Sequence, residues 1–136
     1  MDNNQSPNSK HQIIINTQYP ITKHNFDLED RTLDFSKKVI RLCKKLPYNS
    51  INSELISQLI RAAGSIGANY REANDALSKK DFSHRIGITR REAKETYYWL
   101  QLIEEANANL GDEVKKLLQE SLELKKIFSS IAEKCC

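Results

Sequence analysis

Residues 78–103 read SKKDFSHRIGITRREAKETYYWLQLI, in which Phe82, Ile86, Thr89, Ala93, Thr96, Leu100 and Ile103 follow one another at steps of 4, 3, 4, 3, 4 and 3. Steps of three and four return a side chain to the same side of an α-helix, so this stretch predicts one long helix with a single core-facing stripe. Ser78 is suited to cap its first amides, and Asp81 places an acid in the first turn, where the helix dipole favours it. Extended over residues 79–109, the helix would reach roughly 45 Å. Gly111 marks the stop, because glycine takes the left-handed conformation that closes helices.

The same spacing recurs on both sides. Residues 27–46 carry Leu28, Phe35, Val39, Leu42 and Leu46 on one stripe, and Pro47 ends the pattern because proline has no amide to donate. A second stripe, Ile56, Leu59, Ala63, Ile66, Tyr70 and Ala73, starts behind Asn52 or Ser53 as its expected cap and fades at Asn74 and Asp75. Residues 112–134 place Val114, Leu117, Ser121, Leu124, Phe128, Ile131 and Cys135 in register. Four helices on short links predict an all-α fold, an antiparallel up-down-up-down four-helix bundle over residues 27–136. Residues 1–26 are polar, contain Pro7 and Pro20 and show no helical period, so they read as a flexible tail. The alternative within that tail is a short strand over residues 12–17.

Composition agrees with this organisation. A chain of 136 residues suits one domain, and four glycines with three prolines are too few to turn a β-sandwich. The formal charge of +3 is too small by itself to announce a nucleic-acid-binding protein, so charge has to be read by location. Apolar runs such as Ile13-Ile14-Ile15 are far shorter than the roughly 20 residues of a membrane span. Met1 to Gln5 have neither the basic start nor the apolar core of a secretory signal, and a cytoplasmic location is the expectation.

Two of the helices have more apolar surface than one stripe requires. Tyr97, Tyr98, Trp99 and Leu102 wrap around the third helix beyond its core stripe, and Leu118, Leu122 and Ile127 do the same on the fourth. Covering this surface predicts a homo-oligomer with Tyr97, Tyr98, Trp99 and Leu102 at the interface; a widened core in a monomer is the alternative. Gly64 and Gly67, inside the second helix, each forgo about 1 kcal/mol of helix stability relative to alanine, which calls for close approach of a neighbouring helix. No strand precedes them and no Gly-Lys-Ser follows, so a phosphate-cradling loop is not indicated.

Side chains suited to catalysis do not assemble in the sequence. Glu92 and Glu95, three residues apart, share a helix side as paired carboxylates would, but none of His11, His24 and His84 lies three residues after a Glu, as a di-iron bundle requires. Ion pairing with arginine is the plainer role, with Arg61 and Glu95 placed to meet across the second and third helices. His84 stands alone, and Cys43, Cys135 and Cys136 lack zinc spacing, so no catalytic residue, metal or cofactor is expected. The basic residues are more informative. Lys37, Lys38, Arg41, Lys44 and Lys45 form one basic flank on the first helix, and Arg85, Arg90, Arg91 and Lys94 form another on the third; either is suited to contact phosphates. A solvated face obeying the helix dipole is the alternative.

Gln58-Leu-Ile-Arg61-Ala-Ala-Gly-Ser65-Ile-Gly-Ala-Asn69-Tyr-Arg-Glu72-Ala-Asn, then Ser78-Lys-Lys-Asp81-Phe82, then Glu92-Ala-Lys-Glu95-Thr96-Tyr-Tyr-Trp99-Leu100 resemble the bacterial four helix bundle protein family, also called the 23S rRNA intervening-sequence protein family. The resemblance covers about residues 28–133. It implies a homopentamer, with Arg61, Ser65, Asn69, Glu72, Glu92 and Glu95 as an interhelical polar network. A related protein is the accessory variability determinant of diversity-generating retroelements, a basic pentamer that binds nucleic acid and the reverse transcriptase. The chain departs from many relatives in carrying Ala73 rather than glycine after Glu72, and it is less basic than that accessory protein. The resulting expectation is a non-enzymatic accessory protein that binds RNA or a nucleic-acid-processing protein, with no small-molecule substrate and no membrane. A protein-protein scaffold without nucleic-acid contact is the alternative.

Overall fold

The computed structural model describes residues 27–135; the expectations for residues 1–26 and for Cys136 lie outside the described residues. Among the described residues the chain forms four helices and no strand: α1 (Leu28–Lys44), α2 (Ser50–Asn74), α3 (Lys79–Ala106) and α4 (Asp112–Cys135). No described helix is long and apolar enough to cross a membrane.

Local chemistry sets the helix ends. Asp27 Oδ1 accepts the Asp30 amide at 2.9 Å, and Ser78 Oγ accepts the Asp81 amide at 3.1 Å. At α2 the expected cap is corrected: neither Asn52 nor Ser53 caps the helix, and Asn49 Oδ1 accepts the Asn52 amide at 2.8 Å instead. Pro47 has just broken the preceding helix, and Asn49 is the first residue after it with a short side-chain acceptor. α3 also stops earlier than its pattern suggests, at Ala106 rather than Asn109, since Asn107 has extended backbone (φ −135°, ψ 107°) and turns its amide inward. Asn109 (φ 63°) and Gly111 (φ 66°) then take left-handed geometry and reverse the chain.

The core follows the stripes. Phe35, Val39, Leu42, Leu59, Ile66, Ile86, Leu100, Ile103, Val114, Leu124 and Phe128 are buried, and Tyr70 meets Phe128 with ring centroids 5.3 Å apart. Each fully buried side chain of this size contributes about 1.5–3 kcal/mol. Leu28, Leu46, Ile56, Phe82 and Ile131, at the stripe ends, are only half-buried and pack against this core. The hydroxyls at buried stripe positions are satisfied within their own helices: Thr89 donates to Arg85 O, Thr96 to Glu92 O and Ser121 to Leu118 O, all at 2.8–2.9 Å. A small hydroxyl residue can therefore occupy a core layer without an orphaned donor.

The two glycines of α2 differ. A Cβ at Gly67 would stand 2.9 Å from Thr32 Oγ1 and 3.3 Å from Thr32 Cβ, so α1 packs directly on the Gly67 backbone. Gly64 is exposed with nothing within 4 Å of its would-be Cβ, so the close approach expected there is not made. Just before Gly64, Ser36 Oγ donates to the Ala63 carbonyl at 3.0 Å. Further along, Asn74 Nδ2 donates to Glu29 Oε2 at 2.9 Å. α2 and α3 share the widest contact and α1 and α4 a narrow one, where Arg31 holds Glu120 through Nε at 2.7 Å and Nη2 at 2.8 Å.

Candidate nucleic-acid interface

α1 is amphipathic: its core stripe faces inward and the cations lie on the exposed remainder. The five expected basic residues there divide into two groups. Lys38 pairs with Asp34 one turn earlier at 3.1 Å, and Lys45 reaches Glu113 of α4 at 2.9 Å. Lys37, Arg41 and Lys44 are exposed and make no ion pair among the described residues. Their steps of 4 and 3 put three unneutralised cations on one side of the helix. Arg41 and Lys44 also lie in the last turn, where the helix dipole stabilises positive charge.

The α3 flank is less uniform. Arg85 is half-buried, its Nη1 donating to Asn69 Oδ1 at 2.9 Å, so it is committed to joining α2 and α3. Arg90, Arg91 and Lys94 are exposed and make no ion pair among the described residues. His84 is exposed as well.

Of the six residues expected in an interhelical polar network, Asn69 alone makes a hydrogen bond between helices among the described residues, to Arg85 of α3. Asn69 Nδ2 donates to the Ser65 carbonyl at 2.9 Å while its Oδ1 receives Arg85. Arg61 instead donates to Gln58 Oε1 at 3.0 Å within α2, and no ion pair links it to Glu95. Glu72 and Glu95 are exposed. Glu92 is half-buried, and its carboxyl is held above the usual range, first by burial and then by the neighbouring Glu95 charge, against the opposing pull of Arg91 and Arg61. Its folded proton affinity exceeds the unfolded one, so stability contributed by this group is full in acid and falls as pH rises out of the ordinary carboxylate range. Glu92→Gln is expected to raise stability at neutral pH, the gain vanishing in acid. Urea unfolding at the two pH values checks it, and an equal gain at both would assign the effect to something other than the charge.

Among the described residues no three His, Cys, Asp or Glu side chains cluster to hold a metal. Cys43 is buried, and desolvation pushes its thiol up to about 11, which leaves it protonated and poorly nucleophilic near neutrality. The aromatic group expected at an oligomer interface is partly absorbed by the chain itself. Trp99 packs against the core, Tyr97 and Leu102 are half-buried, and Tyr98, 55% exposed, meets Trp99 edge-on at 5.1 Å. Leu118, Leu122 and Ile127 are likewise half-buried.

Sequence reasoning missed two features of this surface. Leu33, Ile40 and Ile60 are exposed apolar residues on α1 and α2, outside any stripe. Tyr48, in the α1–α2 link, is 96% exposed; its only signal in the sequence is an aromatic residue in a polar turn just after a basic run.

Residues 24–130 match the protein family described as "23S rRNA-intervening sequence protein". A crystal structure of a protein with unknown function from the S23 ribosomal protein family of Bacteroides thetaiotaomicron VPI-5482 is similar at 32% identity, covering 76% of this chain and 96% of that chain with a TM-score of 0.66. No curated protein matches the chain. A family pattern spanning nearly the whole described bundle, together with that structural likeness, establishes that the chain belongs to the 23S rRNA-intervening sequence protein family.

Proposed function

We propose that this chain is a non-enzymatic RNA- or nucleoprotein-binding accessory protein of the cytoplasm, working as a homopentamer of antiparallel up-down-up-down bundles. The observation that carries the reading is the trio Lys37, Arg41 and Lys44, exposed on one side of α1 without neutralising acids among the described residues. Three such cations can displace counterions from a phosphate backbone, and ring symmetry would repeat them five times. The antiparallel course is supported by contacts that pair falling with rising residue numbers: Glu29 with Asn74, Ser36 with Ala63, and Asn69 with Arg85, Asn52 with Asn107. The exposed Tyr98, Leu33, Ile40 and Ile60 support self-association. Those same apolar residues favour a second reading, a protein-protein scaffold without nucleic-acid contact.

Salt separates the two. Affinity for structured RNA is expected to fall steeply from low to moderate salt, and Lys37→Glu/Arg41→Glu/Lys44→Glu should reduce the logarithmic salt slope by about 2–3 for three lost phosphate contacts. Absence of binding at low salt would leave the scaffold reading. Light scattering at micromolar concentration should return five times the 15.7 kDa chain mass, and a monomer mass would refute the assembly.

A further inference from the structure

The basic stripe of α1 leads into a feature that phosphate contact alone does not use. Four residues after Lys44, Tyr48 presents a ring that is 96% exposed and adds little to the fold. Its backbone is nevertheless held on both sides. Asn52 Nδ2 donates to the Pro47 carbonyl at 2.9 Å, and Asn49 Oδ1 accepts the Asn52 amide at 2.8 Å, so the residues before and after Tyr48 are both tied to the first turn of α2. Pro47 further restricts the link through its fixed φ. An exposed aromatic ring on a fixed backbone loses little entropy when a flat ligand stacks on it.

Beside the ring lies a hollow of about 310 Å³, lined by Tyr48 itself, Cys43, Leu46 and Ile56 together with Ser53 and Ser57. Its walls are mainly apolar, and neither serine hydroxyl has a hydrogen-bond partner among the described residues. Apolar walls with a few free donor-acceptor groups suit a planar heteroaromatic ring that carries polar atoms on its edge. The protonated Cys43 thiol adds a polarisable wall rather than a charge.

We propose that Tyr48 and this hollow, in the link that follows α1 and its exposed Lys37, Arg41 and Lys44, form a base-binding site, so that the chain recognises unpaired nucleotides in single-stranded RNA. The inference rests on the RNA reading above and narrows it. A duplex keeps its bases stacked and offers only backbone to such a site, whereas a single strand can splay a base onto the ring while its phosphates follow the cations.

The test uses the full chain with two probes, single-stranded oligoadenylate and the blunt duplex it forms with oligouridylate. Tyr48→Ala is expected to weaken oligoadenylate binding by about tenfold and to leave duplex binding unchanged, with Tyr48→Phe retaining the wild-type affinity for both. Wild-type binding combined with an unchanged Tyr48→Ala affinity for oligoadenylate, or with an equal loss on both probes, overturns the base site and spares the RNA reading. Wild-type protein that binds neither probe at low salt overturns both.

Discussion

Asn52→Leu is expected to lower the unfolding free energy by about 3 kcal/mol, the combined effect of orphaning a buried amide and losing its bonds. Asn52 and Asn107 form a reciprocal pair inside the bundle: Asn52 Nδ2 donates to Asn107 Oδ1 at 2.9 Å, and Asn107 Nδ2 returns a bond to Asn52 Oδ1 at 2.8 Å. The second N–H of each amide is also used, by Pro47 O at 2.9 Å and by Ile103 O at 3.0 Å. Each side chain therefore has both donors and its carbonyl engaged, a condition under which a buried polar pair is tolerated. Leucine at position 52 copies the branching of the amide with bulkier methyl groups, and it strands the Asn107 carbonyl and one of its N–H groups. Asn107→Leu should cost about 2 kcal/mol, somewhat less because Asn107 retains 9% exposure. The double variant removes both partners and should be no less stable than the worse single. Urea unfolding of the four proteins gives the coupling directly, and additive losses would contradict the pairing.

The pair also explains why local spacing misplaces the start of α2 and the end of α3. Spacing reports which residues share a helix side, and it finds most of the buried apolar residues from Phe35 through Phe128, though not Cys43 or Ala62, because a core stripe is a local, periodic property. Local spacing offers Asn52 or Ser53 as the cap of α2 and passes over Asn49, because nothing local shows that the Asn52 side chain is engaged elsewhere. The choice is made by a partner 55 residues away: Asn52 is drawn to Asn107, which leaves Asn49 to cap α2 and pulls Asn107 out of the α3 pattern. Long-range hydrogen bonding of this kind has no period to detect.

Charge was legible in the same partial way. The run from Lys37 to Lys45 is visible as a flank, but which of its members are neutralised depends on Asp34 within the helix and Glu113 on another. Position along α1 alone would have favoured Lys38 and Lys45 as much as Lys37 and Lys44. Arg85 shows the converse. It reads as a surface cation, yet the Asn69 carbonyl oxygen captures it and makes it a strut between α2 and α3. The cations available to a ligand are those whose surroundings lack an acceptor, and this can be read only once the helices are packed.

Gly67→Leu is expected to destabilise the fold by about 3 kcal/mol, the upper part of the range for forcing bulk into a packed contact. Gly64 and Gly67 look equivalent in sequence, one turn apart in a run of small residues, and each gives up about the same 1 kcal/mol of helix stability. Packing breaks the equivalence. The would-be Cβ of Gly67 falls 2.9 Å from Thr32 Oγ1, and Thr32 is fully buried. Its hydroxyl donates to Leu28 O at 2.8 Å and approaches Glu29 O at 3.2 Å, so rotating it away would break bonds inside the first turns of α1. Even Gly67→Ala should gain nothing from its better helix propensity, because the clash offsets it. At Gly64, where nothing lies within 4 Å, alanine should stabilise by about 1 kcal/mol and leucine should be tolerated. Thermal unfolding of the alanine and leucine variants at both positions tests the contrast. Because Thr32 lies on the helix that carries Lys37, Arg41 and Lys44, a Gly67→Leu chain that remains folded should also present those cations from a displaced α1. Equal behaviour of the two glycines would mean that α1 is not seated on α2 through the Gly67 backbone.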